Sequence, residues 1–336
     1  MQTQILAAFT SAEEAAAVER ATALLRAGEP VALPTETVYG LAADALNAGA
    51  VLKVFEAKER PRFDPLIVHL PERDWLERVA VVGRAASDLV ARLTSAFWPG
   101  PLTLVLPRAA IVPDLVTAGL ATVAVRMSAH PVFAKVARLF GKPLAAPSAN
   151  RFGRISPTAA EHVWAELEGR IALIVDCGPT LHGIESTVVA LREGKMQVLR
   201  PGPITPDALA AFGEVETTPS GSRIESPGQL PVHYAPRTPL VLVNDVASFA
   251  PPQNQRCALL SWKFDGDVSR FREVRKLSAS GDLREAAANL FRCLRELDQS
   301  GVDLIVAEKV PDEGIGAAVL DRLNRAAARR PAKPVV

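Results

Sequence analysis

Apolar positions along the chain fall into short runs separated by polar and turn residues. The runs PVALP (30–34), 66–70, 102–106, 122–127, 171–176, 186–191 and 196–199 have the length and β-branched content of buried strands. Between several of them the apolar spacing turns helical. Ser11 followed by Glu14 predicts a capping box opening an Ala-rich helix to about Ala27, stopped by Gly28. Residues 47–58 read as a helix that must end before Pro61, and Thr158-x-x-Glu161 predicts another capped start. Thr205-Pro206-Asp207 puts Pro at the first helical position of a last helix, ending near Phe212-Gly213. Strands with helices between them predict one α/β domain on a mixed sheet over residues 1–213.

Residues 214–237, EVETTPSGSRIESPGQLPVHYAPR, lose all apolar periodicity and read as a linker in which HYAP forms a local island. Beyond it, PLVLV (239–243), CALLSW (257–262) and DLIVAE (303–308) read as strands. Helical patterns run from about Asp282 to Leu297 and from Gly316 to Arg329. Residues 238–336 therefore predict a smaller, Rossmann-like α/β domain. No repeat of solenoid period is present.

Composition narrows the class. A chain of 336 residues with 49% hydrophobic and 22% charged side chains is long enough for two globular domains with real cores. The 27 prolines alternate with patterned segments instead of forming tracts, which excludes collagen-like and Pro-rich disordered classes. Net charge is +1, so any anion is held locally and not by a molecule-wide field. The three cysteines, Cys177, Cys257 and Cys293, lack C-x-x-C spacing, and the N-terminus lacks a basic leader and a long apolar run. These features predict a cytoplasmic protein with neither disulfides nor membrane insertion.

The charge is unevenly placed. Between Asp114 and Glu161 no carboxylate occurs, yet Arg126, Lys135, Arg138, Lys142, Arg151 and Arg154 all lie there. Lys135, Arg138 and Lys142 read as a solvated helix face, whereas Arg126 ends a strand pattern and points into a crevice. APSANRFGRISPT adds Ser148, Asn150 and Ser156 in a turn-rich loop, a reasonable phosphate cradle without a P-loop. A second cluster, Lys53, Lys58, Arg60 and Arg62, follows the 47–58 helix, where it also complements the helix dipole. PTETVYGL offers Thr35, Glu36 and Thr37 as hydrogen-bonding groups. His69, within LIVHL, reads on its own as a core histidine. The P-loop, G-x-G-x-x-G, H-E-x-x-H and G-x-S-x-G patterns are all missing, and the five histidines lack metal-ligand spacing.

Taken in order, PTETVYGLAADA, KERPRFDPLIVHL, FWPGPLTLVL, VAVRMSAHP, LAAPSANRFGRISPT, DCGPTLHGIESTVV and VLRPGPI resemble the YrdC-type L-threonylcarbamoyladenylate synthase family over roughly residues 12–212. SPGQLPVHYAPRTPL and the domain after it resemble its long, two-domain form. The resemblance implies a twisted mixed-sheet domain with an open cavity. It also implies condensation of L-threonine, bicarbonate or CO2, and ATP into L-threonylcarbamoyladenylate and pyrophosphate, serving modification of adenosine 37 in ANN-reading tRNAs by a threonylcarbamoyl transferase. Stable direct tRNA binding is not expected. The family's threonine site falls on Thr37, His69, Arg126, Ala146 and Ser186. Its ATP site falls on Lys58, Arg60, Asp64, Thr122, Ser148, Asn150, Ser156 and Arg200, with Tyr234 from the linker. Mg²⁺ is expected to ride on the phosphates without protein ligands. Asp64 departs from the family pattern, where Asn is expected, and a carboxylate there must face Mg²⁺ or an arginine to avoid repelling triphosphate. Two alternatives remain at this point. A carbamoyl-phosphate-dependent carbamoyltransferase would need Cys-rich zinc motifs, and a non-catalytic RNA-binding module would need stacking aromatics beyond Phe133, Phe140 and Phe152.

Overall fold

The computed structural model describes residues 2–217, 226–230 and 233–328. The chain divides into two units, Met1–Phe152 with Ser156–Gln229, and Gly153–Ile155 with Leu230–Val336.

In the first unit one mixed sheet is built from β1 (Gln4–Ala7), β2 (Val31–Leu33), β3 (Gly40–Asp44), β4 (Ile67–His69), β5 (Leu102–Pro107), β6 (Thr122–Arg126), β7 (Leu144–Ala145), β8 (Leu173–Asp176), β9 (Thr187–Arg192), β10 (Lys195–Arg200) and β11 (Val215–Thr217). Their order is β1-β8-β2-β3-β7-β4-β6-β5-β9-β10-β11. The helices are α1 (Ser11–Arg26), α2 (Ala48–Lys58), α3 (Leu76–Val79), α4 (Arg84–Phe97), α5 (Asp114–Thr117), α6 (Pro131–Phe140), α7 (Ala160–Leu167) and α8 (Pro206–Ala210).

Alternation along the central strands decides which side is core. Val68 of β4 pairs with Val125 of β6, Leu104 of β5 with Val125, and Leu104 with Val189 of β9, so these side chains share one face. That face packs with Val51 and Phe55 of α2 and Leu89, Val90 and Leu93 of α4. Each such fully buried side chain contributes about 1.5–3 kcal/mol. The opposite face carries Ile67, Val105, Ala124, Val188 and Ala190 as a separate small apolar cluster. The same period of two places His69 and Arg126, which are register partners, beside that cluster and not in the main core. Toward the other edge of the sheet, α1 and α6 cover β2 and β8 through Ala21, Leu25, Phe133, Val136 and Val175.

Several local expectations shift. The cap of α1 is Thr10, whose hydroxyl takes the Glu13 N–H while the Glu13 side chain returns to the Thr10 N–H, one residue earlier than the Ser11 and Glu14 reading. No side chain caps α7; Thr158 instead bonds the His162 ring through its own N–H at 3.2 Å. β3 (GLAAD) and β7 carry only Gly, Ala, Leu and Asp, so they lack the β-branched signal of a strand yet are held by pairing on both sides. The opening of the expected linker is β11, which pairs in parallel with β10. The rest of that stretch is described at residues 226–230 and 233–237, with 218–225 and 231–232 outside the described residues.

The second unit has four parallel strands, β12 (Leu240–Val243), β13 (Cys257–Ser261), β14 (Glu273–Lys276) and β15 (Leu304–Glu308), in the order β12-β15-β13-β14. α9 (Leu283–Gln299) is capped by Asp282 and buries Ala286, Ala287, Leu290, Phe291, Leu294 and Leu297 at helical spacing. α10 (Gly316–Ala327) packs beside α9 and against β12. Val246, Phe249, Phe264, Val268 and Phe271, from segments outside helices and strands, gather on Leu259 and Val306.

Candidate functional site

β4 and β6 run parallel, so His69 and Arg126 end side by side. The loop between β2 and β3 supplies the groups that meet Arg126. Thr35 folds this loop on itself, its hydroxyl donating to the Val38 carbonyl at 2.6 Å and accepting the Thr37 N–H at 3.1 Å. Arg126 Nη1 donates to Thr37 Oγ1 at 3.0 Å, and Nη2 pairs with Glu36 Oε1 at 2.6 Å. Ser128 donates to Glu36 Oε2 at 2.6 Å. All four side chains are buried. Burial pushes the Glu36 carboxyl up, but the Arg126 charge and the hydrogen bonds from Ser128 and Arg126 outweigh it and hold it at about 2.

His69 is buried against the Phe133 ring, with centroids 4.8 Å apart. Burial, reinforced by Arg126 and opposed by Glu36, lowers its pKa to about 3, so the imidazole is neutral at physiological pH. Because the unfolded chain regains an ordinary pKa near 6.5, it binds more protons than the folded chain between about pH 3 and 6.5. The stability contributed by neutral His69 is therefore present above that window and is lost as pH falls through it. In urea unfolding, His69→Gln is expected to flatten the loss of stability between pH 6.5 and 4 relative to the parent chain. An unchanged pH slope would show that His69 is not the titrating group.

A second cluster forms around the ends of α2 and β7. Lys58 is fully buried; its ammonium donates to the Ser148 carbonyl and, at 2.5 Å, to the Asn150 carbonyl. Burial, with help from Arg60, pulls its pKa well down, against the opposing charges of Asp64 and Glu166. Arg60 donates to the Asp64 and Pro65 carbonyls at 3.2 and 2.8 Å and pairs with the Asp64 carboxylate at 2.9 Å. Burial raises the Asp64 pKa, while Arg60, Lys58 and Arg200 all favour its charged form. Asp64 thus faces an arginine, as its charge requires.

A third cluster joins β9 and β10. Ser186 Oγ lies 2.8 Å from Thr103 Oγ1 and accepts from Arg200 Nη2 at 3.0 Å, while Arg200 Nε also donates to the Ser186 carbonyl at 3.1 Å. Next to it, Glu185 accepts from Ser156 at 2.5 Å. Ala146 follows β7, its N–H bonded to the Ile67 carbonyl at 3.0 Å. Thr122 shares a face with Arg126 but begins β6, about 13 Å away by strand rise, with Ala124 between them. In the second unit Tyr234 is buried on Phe291, with centroids 5.6 Å apart, beneath the Arg322 guanidinium, and adopts a left-handed φ of 59°.

The basic stretch resolves differently from its sequence reading. Lys135 pairs with Glu14, Lys142 with Asp44, Arg151 with Glu166 and Arg126 with Glu36, so distant carboxylates neutralise it. Of the other cluster, Lys53 pairs with Glu29 and Arg62 is exposed, leaving Lys58 and Arg60 as the buried pair. Sequence reasoning placed Glu36 among polar loop groups only, and omitted Ser128, Thr103 and Glu185 from the site. A buried arginine in a stretch without carboxylates was the available signal, since it needs a counter-ion from elsewhere in the chain. Phe133 and Phe140 are core residues packed between α6 and the sheet, so neither offers a ring for base stacking of the kind an RNA-binding module needs.

Comparison with known proteins completes the picture. Residues 23–202 match the Sua5/YciO/YrdC family, described as telomere recombination, and residues 198–328 match the family described as threonylcarbamoyl-AMP synthase, C-terminal domain. The threonylcarbamoyl-AMP synthase of Pyrococcus abyssi is 40% identical, covering 92% of this chain and 94% of that protein. The Bacillus subtilis protein of the same name is 41% identical, covering 93% of each. The crystal structure of P. abyssi Sua5 complexed with L-threonine superposes with a TM-score of 0.87 at 38% identity, over 97% of this chain and 98% of that one. With both of its domains matched along nearly the whole length, the chain belongs to the threonylcarbamoyl-AMP synthase family.

Proposed function

We propose that this chain is a nucleotidyltransferase that condenses L-threonine, bicarbonate or CO2, and ATP into L-threonylcarbamoyladenylate and pyrophosphate. The observation that carries the reading is Arg126, a buried guanidinium whose Nε has no partner among the described residues and whose Nη2 is held only by Glu36. A planar fork with donors to spare in a dry setting is suited to an amino-acid carboxylate. Thr37, His69, Ala146 and Ser186 complete the proposed threonine site. Lys58, Arg60, Asp64, Ser148, Asn150, Ser156 and Arg200 form the proposed triphosphate site, and the apolar strip through Ala124 toward Thr122 gives the nucleoside a floor.

The chemistry asks for alignment more than for a nucleophile. The threonine ammonium loses a proton, the free amine bonds the carbon of CO2, supplied as such or from bicarbonate by protonation and loss of water, and the nitrogen sheds its second proton to give the carbamate. A carbamate oxygen then bonds the α-phosphorus as the bond to the β-phosphate oxygen breaks and pyrophosphate departs. Positioned cations lower the cost of charge building on the phosphoryl oxygens. Arg126 fixes the carboxylate, and Lys58 fixes the 148–150 backbone beside the phosphates. Mg²⁺ is proposed as the phosphates' companion, where it neutralises charge. The Asp64 carboxylate is paired with Arg60 at 2.9 Å, so Mg²⁺ would be held by the phosphates themselves and not by a protein ligand.

The product is proposed to pass to the transferase that modifies adenosine 37 of ANN-reading tRNAs, in the cytoplasm. Among the described residues no helix is long and apolar enough to cross a membrane. Incubating the protein with ATP, Mg²⁺ and bicarbonate should release pyrophosphate only when L-threonine is added. Release independent of threonine would remove the reading. Tyr234 is proposed to join the nucleotide as it binds, so Tyr234→Ala should raise the KM for ATP several-fold. Unchanged kinetics would leave that segment a tether.

A further inference from the structure

Glu36 has no assigned role in the threonine site, yet it is the group most closely bound to Arg126. Its carboxylate is fixed from several sides. One oxygen accepts from Ser128 at 2.6 Å, and the Ser128 hydroxyl in turn accepts the His130 N–H at 3.2 Å. The Glu36 carbonyl accepts the His182 N–H at 2.9 Å, which pins the loop behind it. The other carboxylate oxygen, Oε1, is held by Arg126 Nη2 at 2.6 Å and has no second partner among the described residues. Arg126 Nε has no partner among the described residues, and Nη2 has none besides Glu36. A cationic fork and an anionic oxygen, both buried and both with unused hydrogen-bonding capacity, therefore lie side by side.

A ligand bearing only a carboxylate would turn this neutral pair into a site with a surplus buried negative charge, which is costly away from water. A ligand carrying a carboxylate and an ammonium on adjacent atoms leaves it neutral. We infer that Glu36 is a specificity-determining residue that receives the α-ammonium group of the amino-acid substrate, so that the site accepts zwitterions and rejects the hydroxy acid of the same skeleton. The inference rests on the reading of Arg126 as the carboxylate anchor. It also gives the pair a direction: once the nitrogen has become a carbamate it carries no positive charge, and Glu36 no longer holds it.

The test compares L-threonine with 3-hydroxybutanoate, its analogue without the amine, as substrate and as competitive inhibitor of threonine-dependent pyrophosphate release. In Glu36→Gln the KM for threonine should rise at least 10-fold, while the inhibition constant of 3-hydroxybutanoate stays constant or falls, so the preference for threonine collapses. Equal weakening of both ligands would overturn the inference, since Glu36 would then only orient Arg126; an unchanged threonine KM would overturn it too. If Glu36→Gln does not fold, Ser128→Ala decides the matter: a 2- to 5-fold fall in the threonine preference supports the inference and an unchanged preference overturns it. Failure of the anchor reading is separate, because it would show as Arg126→Lys leaving the threonine KM of the otherwise intact protein untouched.

Discussion

Arg126→Lys is expected to lower kcat/KM for L-threonine about 100-fold, with the KM for ATP nearly unchanged. A lysine keeps the charge opposite Glu36, so no uncompensated carboxylate is created. What it loses is the planar fork: one ammonium cannot satisfy Glu36 and Thr37 and still meet both oxygens of a carboxylate. Hydrogen bonds to charged groups are worth about 1.5–3 kcal/mol each, and about 1.4 kcal/mol is a tenfold change, so losing one or two gives an effect of this size. Steady-state kinetics with each substrate varied in turn measures it. A similar loss against both substrates would mean that the substitution disturbs the fold and not the threonine site.

Lys58→Met should act on the other substrate and on stability together. The side chains are of similar length, so the main change is loss of the ammonium that binds the Ser148 and Asn150 carbonyls. The buried Asn150 carbonyl and the partly buried Ser148 carbonyl, left without that donor, cost at most about 1–3 kcal/mol each, partly offset because a buried charge no longer has to be desolvated. A net loss of about 2 kcal/mol lowers Tm by roughly 4–8 °C in a domain of this size. With the 148–150 backbone released, ATP-dependent turnover should fall more than 100-fold at fixed ATP. Thermal melting and ATP titration read the two effects separately. A normal Tm with normal ATP kinetics would place Lys58 outside the phosphate machinery.

Strand positions in this chain were legible wherever side chains carried their own signal. The run at 122–127 is β6 and the run at 102–106 is β5, because Val, Leu and Thr suit a pleated, half-buried surface. β3 and β7 were not legible: Gly40, Ala42, Ala43 and Ala145 carry almost no strand preference, and what fixes them is pairing, β3 with its near neighbour β2 and, across about a hundred residues of sequence, with β7. The helix reading at Ser11 missed by one position because Thr10 and Ser11 are both acceptable caps with a Glu three residues on, Ser being slightly preferred, and only backbone geometry places the cap at Thr10.

The candidate site divides in the same way. Arg126 stands out because it ends an apolar strand pattern, whereas His69 reads on its own as a core histidine and Ser186 enters only through the family resemblance. The pairings are not legible, since Glu36 reaches Arg126 and Thr103 reaches Ser186 only through the tertiary fold. The surplus of positive charge between residues 114 and 161 looked like a phosphate surface in one dimension. In three dimensions Glu14, Glu36, Asp44 and Glu166 pair with Lys135, Arg126, Lys142 and Arg151, and the buried cations near the proposed phosphates are Lys58, Arg60 and Arg200.

The central claim is that three substrates are joined at one site. Its most direct test supplies carbon-labelled bicarbonate with ATP, Mg²⁺ and L-threonine, then follows the label into an adenylate by chromatography and mass measurement. The account predicts one labelled carbon in a species containing threonine and AMP, formed in equal amount to pyrophosphate and only with all three substrates present. An adenylate that forms without the label, or pyrophosphate released without threonine, would contradict it.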